Sequence, residues 1–208
     1  MVAIYGNFIN RVLVLTHKYY DGKVPAIGVL KPFDKSVLNE MTSMPQKIGH
    51  AIEHYRFREA SQILMQLARL GNKYLADTEP WKLIKTDPER VLTIMHTALQ
   101  ISAALSILSE PILPFTSKKL SNMLQIDSEN KNWDDVSNGS NLINAGHKIG
   151  KTFLLFEKIE DEQMEEQRMK LKVSITENKA KSLKIAPIKP ITPYAVSYTH
   201  LTLPTNRE

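Results

Sequence analysis

The chain has no cysteine. That excludes disulfides, thiolate metal sites and a cysteine nucleophile. Glycine is scarce, at eight of 208 residues, which favours helices over turn-rich sheets. No phosphate-cradling glycine loop, nucleophile elbow or helical zinc motif occurs. The first seven residues lack the basic start and apolar stretch of a signal peptide. No apolar run is expected to reach the roughly 20 residues of a membrane span, so a cytoplasmic protein is the expectation. Six histidines are scattered. His50 and His54 stand one helical turn apart, yet no carboxylate completes a zinc set with them. Acids pair only around Asp161, in a charge-dense stretch that reads as a solvated face. These residues supply no reaction by themselves.

What is present is a chain of one ordinary domain's length, carrying a net charge of +5 and a pI ≈ 9.2. The charge favours a polyanionic partner, although ordinary basic proteins share it. Ile4, Phe8, Val12, Leu15 and Tyr19 recur at helical steps over residues 3–20. Asn7 and Arg11, four apart, flank that stripe and emerge at its rim. Asp21-Gly22 ends the helix, and Pro25 and Pro32 keep the next stretch extended. Asp34 or Ser36 caps a short turn, and Ser43 restarts a helix at Pro45. Ala60, Ile63, Leu64, Leu67, Leu70, Tyr74 and Leu75 mark a core-facing helix that Pro80 ends or bends. Asp87-Pro88-Glu89 is a start signal for an apolar face running from Val91 to Leu108. Thr116 or Ser117 caps a further helix. The pattern predicts an all-α fold, an antiparallel bundle of about five helices.

The rest divides by composition. Residues 1–156 form the expected helical domain, with Trp133 tacking a polar loop to the bundle and residues 153–156 docking as a short apolar run. Residues 157–195 are a charged helix or linker that becomes basic and proline-punctuated from about residue 178. Residues 196–205 back-translate into the end of a transposase-based library adapter, so 196–208 is expected to be a non-biological tail.

Trp81 lies at a helix corner, after Pro80. It is either a core plug or a stacking platform. Single-stranded RNA is read by stacking splayed bases on aromatics and bonding their Watson–Crick edges. Arginine only donates, which suits N3 and O2 of cytosine; the asparagine carbonyl can accept from the cytosine amino group. An ordinary pair of rim residues also explains Asn7 and Arg11.

The order of motifs resembles one known family. Gly6-Asn-Phe-Ile-Asn-Arg11, Tyr19-Tyr-Asp-Gly22, Gly71-Asn-Lys-Tyr74, Glu79-Pro-Trp-Lys82 and Pro111-Ile-Leu-Pro-Phe115 are similar to the anticodon-binding domain of bacterial methionyl-tRNA synthetases. Ala145-Gly-His-Lys-Ile149 and Leu155-Phe-Glu-Lys-Ile-Glu160 extend the likeness, which covers roughly residues 4–172. The resemblance implies recognition of the CAU anticodon of methionine tRNA. Its first base would stack on Trp81 and bond to Asn7 and Arg11, with Pro80 shaping the corner. The family's catalytic Rossmann domain, its His-Ile-Gly-His and Lys-Met-Ser-Lys-Ser motifs and its zinc-bearing insertion are absent. The chain is therefore expected to be a non-catalytic fragment that carries no cofactor. The parent would charge tRNA with methionine using ATP and magnesium, with zinc in the insertion. A homodimer through a C-terminal oligonucleotide-fold domain is implied for the parent. Two alternatives stay open: the same module of a leucine, isoleucine or valine ligase, and a helical scaffold that binds only protein. Deleting residues 196–208 is expected to change neither the melting temperature nor RNA affinity, a pair of measurements on the shortened and full chains.

Overall fold

The computed structural model describes residues 2–126, 132–139, 141–156 and 161–182. They fall into two compact units, residues 1–157 and 158–208. In the first, a π-helical turn over Val2–Gly6 leads into α1 (Asn7–Tyr20). Then come α2 (Pro32–Glu53), α3 (Phe57–Thr78), α4 (Pro80–Leu83), α5 (Pro88–Leu108), α6 (Pro114–Leu124) and α7 (Trp133–Ser137). The five longer helices form the expected all-α bundle, and no strand occurs among the described residues.

Several boundaries follow the sequence signals. Asp21 closes α1 in the left-handed conformation, and the Asp87 side chain accepts the amide of Arg90 at 3.0 Å to start α5. Others do not. The uniform helix expected over 3–20 opens instead with the π turn, where Ile4's carbonyl accepts from Asn72 Nδ2 at 2.8 Å. Pro32 does not extend the chain but begins α2, where its fixed φ suits a first turn. α2 then runs unbroken through Pro45. Met44, Pro45 and Ile48 are buried against neighbouring helices, and that packing outweighs one lost backbone hydrogen bond. α6 starts at Pro114 rather than at Thr116 or Ser117. Ser117 is buried and donates to the Ser106 carbonyl at 2.6 Å.

The largest departure concerns α5. A single apolar face was expected, but from Arg90 to Leu108 every residue except Leu92 is buried. By length and composition this helix could cross a membrane, contrary to the expectation from the sequence, and 89% of that window is packed inside the protein. It is the axis of the bundle. Gln100 on it accepts the Leu142 amide at 2.8 Å and donates to the Ile143 carbonyl at 2.7 Å, fastening the later loop. Trp133 on α7 packs half-buried beside Gly49 of α2, in keeping with a loop tack. Of residues 153–156, Leu155 is buried and Phe156 packs edge-on against Tyr5, whereas Phe153 and Leu154 stay exposed. Only half of that run docks.

In the second unit, α8 (Asp161–Ser182) is a charged helix, with Lys170–Glu166 at 2.7 Å along its surface. It continues past residue 178, where a linker was expected. Residues 183–195 and the tail 196–208 lie outside the described residues.

One buried charge cluster joins three helices. Asp34, fully buried, accepts two bonds from the Arg90 guanidinium at 2.5 and 2.7 Å, one from Tyr74 Oη at 2.7 Å and one from the Lys31 amide at 2.8 Å. Burial alone would raise the Asp34 pKa; bonds from Arg90, Tyr74 and Lys31, with the charge on Arg90, outweigh it and hold it below the ordinary 3.8. Burial and the bond to Asp34 push the Tyr74 phenol up. Arg90→Leu would strand the carboxylate and is expected to cost about 3–5 kcal/mol by denaturant melts. Because the folded value is the lower one, the Asp34 contribution is present above pH 3.8 and lost as pH falls below it. Asp34→Asn is therefore expected to flatten the acid limb of the stability–pH curve, as measured by urea melts across that range.

Candidate nucleic-acid interface

The corner that carries Trp81 is built from two unusual residues. Glu79 adopts φ 40°, ψ 58°, a left-handed conformation that costs energy for any residue with a Cβ. Its amide closes α3 on the Leu75 carbonyl at 3.0 Å, while its carbonyl accepts the Lys82 amide at 2.9 Å to open α4. One residue thus ends one helix and begins the next. Pro80 comes next, buried, at the first position of α4, and Glu79 pairs with Lys82 at 2.8 Å on the surface. Trp81 is held on this single turn with 38% of its surface exposed. It is neither a core plug nor free of the protein: one side rests on the bundle.

α1 is seated against the same region by the segment Gly71-Asn-Lys-Tyr74. A Cβ at Gly71 would lie 2.5 Å from the Phe8 ring, so glycine is what lets α1 approach α3. Asn72 holds the Ile4 carbonyl, and Tyr74 reaches Asp34. The motif thereby fixes where α1 starts and how it is rotated. That rotation turns Asn7 and Arg11 outward, as the four-residue spacing predicts.

Arg11 and Trp81 face a common cleft of ≈ 360 Å³, whose other walls are Asn10, Val14 and Leu15. Among the described residues, Arg11 makes no ion pair or hydrogen bond, so all its donors are available. Asn7 sits one turn before it, about 6 Å along the axis, beyond the cleft walls. Its Nδ2 donates to the Ala3 carbonyl at 3.0 Å, which leaves Oδ1 of this exposed residue as an unused acceptor. Pro80, buried, is not among the cleft walls. Asn10 is a residue that sequence reasoning missed; its position three after Asn7 places it on the same helix face and was the available signal. The His50 and His54 rings lie 4.2 Å apart, with His54 Nδ1 against the His50 carbonyl at 2.8 Å. No group of three His, Asp or Glu side chains converges among the described residues.

Known proteins share this sequence and fold. The family described as the anticodon binding domain of methionyl tRNA ligase matches residues 24–175, a span that includes Pro80 and Trp81 and begins after Asn7 and Arg11. A methionine–tRNA ligase of Christiangramia forsetii is 57% identical over 195 residues, 92% of this chain and 28% of that protein. The Flavobacterium psychrophilum enzyme is 54% identical over 194 residues, with 93% and 28% covered. The chain thus spans little more than a quarter of the length of these relatives. The fold is similar to that of Mycobacterium tuberculosis methionyl-tRNA synthetase in its free state, with a TM-score of 0.71 at 19% identity over 77% of this chain and 32% of that one. The alternatives of a sister ligase and of a protein scaffold give way to these findings. The chain belongs to the family of methionyl-tRNA ligase anticodon-binding domains.

Proposed function

We propose that this segment reads the CAU anticodon of methionine tRNA, and that its first base, cytosine, is held in the Trp81 cleft. The observation that carries the proposal is the shared cleft of a half-exposed Trp81 and an uncommitted Arg11. A base stacked on the indole gains roughly 1–3 kcal/mol whatever its identity. Selection then falls to the edge. The Arg11 guanidinium donates to cytosine N3 and O2, and the Asn7 carbonyl accepts from the cytosine amino group. Uracil presents N3–H to the guanidinium and a carbonyl to Asn7, so both contacts turn repulsive. Pro80 and the strained Glu79 hold the indole in place before RNA arrives, which lowers the ordering cost of binding.

In the whole ligase this recognition would serve the joining of methionine to tRNA with ATP and magnesium in the cytoplasm. ATP, magnesium and zinc, and dimerisation through a C-terminal domain, belong in this reading to the whole ligase.

The test uses the 208-residue chain with Trp133→Phe, so that Trp81 is the sole tryptophan and can be excited selectively over the tyrosines. Titration with a CAU anticodon stem-loop is expected to quench Trp81 and to give tighter binding than a UAU stem-loop. Trp81→Ala, in the unmodified chain and with labelled RNA, is expected to weaken binding by about 5- to 150-fold with little change in melting temperature. Arg11→Ala is expected to narrow the CAU–UAU difference. Equal binding of both RNAs with a steep salt dependence would instead leave only nonspecific attraction to a basic surface.

A further inference from the structure

The Trp81 cleft has a neighbour on the outer face of α1. Val14, 46% exposed, forms a wall of it and also of a second cleft of ≈ 630 Å³, shared with Lys18, Lys151 and Phe153. Lys151 and Phe153 in turn line a third, of ≈ 340 Å³, with Lys119 and Asn122. Neighbouring clefts thus share walls, Val14 between the first and second, Lys151 and Phe153 between the second and third. No aspartate or glutamate lines any of them, whereas Arg11, Lys18, Lys119 and Lys151 all do.

Phe153 is 59% exposed, so its ring face is open to a ligand. Its backbone is not loose. The Gly150 amide bonds the Met123 carbonyl at 2.8 Å, His17 Nε2 meets the Gly150 carbonyl at 2.9 Å, and Leu155 is buried two residues on. The ring is therefore presented on an anchored segment, between cations, in the manner of a stacking platform. From Arg11 to Lys18 the helix rises about 10 Å, the length of about three nucleotides stacked at ~3.4 Å.

We propose that Phe153 is a second stacking platform. It takes another unstacked nucleotide of the RNA strand whose base occupies the Trp81 cleft; Lys18 and Lys151 contact the intervening phosphates, and Lys119 one beyond Phe153. The proposal rests on the Trp81 reading and extends it across the outer face of α1. The positive lining and the walls shared with that cleft favour a polyanionic strand over a protein surface.

The test measures binding of a fluorescently labelled CAU anticodon stem-loop to the 208-residue chain at several salt concentrations. Phe153→Ala is expected to weaken binding about 5- to 150-fold, and Phe153→Tyr to restore it where Phe153→Leu does not. Lys18→Gln with Lys151→Gln is expected to reduce the salt slope by about 1.4, two phosphates' worth for a single strand. Loss of affinity in Trp81→Ala together with unchanged affinity and slope in the Phe153 and lysine variants would overturn this site alone and turn attention to a protein partner for the face. Unchanged affinity in all of them would overturn both readings. Full rescue by leucine would overturn stacking.

Discussion

Asp34 is a carboxylate wholly removed from water, and a lone charge in that position would unfold much of the domain. It is tolerated because Arg90 grips both its oxygens while Tyr74 and the Lys31 amide add further hydrogen bonds. Those four residues come from the start of α2, the end of α3 and the first turn of α5. The helices can therefore pack in only one relative register near Trp81, since any slip would break a charge-assisted bond in a dry site. An apolar core of the same volume would give cohesion, but it would not fix direction as these bonds do.

From that fixed end the functional surface is assembled by close approach. Gly71 lets Phe8 in, Asn72 secures the turn before α1, and Tyr74 joins the buried cluster, all within four residues. Among the side chains that meet solvent, Arg11 makes no hydrogen bond or ion pair among the described residues, Asn7 bonds only its own helix turn, and Trp81 keeps 38% of its surface open. Their geometry is inherited from neighbours that never touch a ligand. Rigid support beneath and free hydrogen-bonding groups above is the arrangement that base recognition requires.

Much of this was legible in the chain before its fold was known. Helical spacing marked the five long helices, and Asp21-Gly22 and Asp87-Pro88-Glu89 marked ends and starts, because caps act locally. The four-residue step from Asn7 to Arg11 placed both on one outward face for the same reason. The unreadable features are those that depend on distance. Asp34 looked like a cap candidate, and its pairing with Arg90 spans 56 positions. Ser43-Met-Pro45 read as the start of a new helix, but tertiary packing carries α2 straight through it. The all-round burial of α5 was hidden because Thr93, His96 and Gln100 look like a solvent face; they are instead buried and hydrogen-bonded to the loops around them, Thr93 to Gly28, His96 to Pro25 and Gln100 to residues 142–143. Lys18 and Lys151 meet across a cleft although 133 positions separate them.

The single-residue joint at Glu79 has a consequence for how this domain can diverge. Because α3 passes directly into α4, the two helices share one count of residues, and an insertion or deletion within α3 would rotate α4 by about 100° per residue. Trp81 would then point into the bundle or away from α1, with every side chain intact. Substitutions along the outer faces of α3 and α4 leave that count untouched. The length between Gly71 and Trp81 is thus the quantity this architecture must keep, more than the identity of most residues between them.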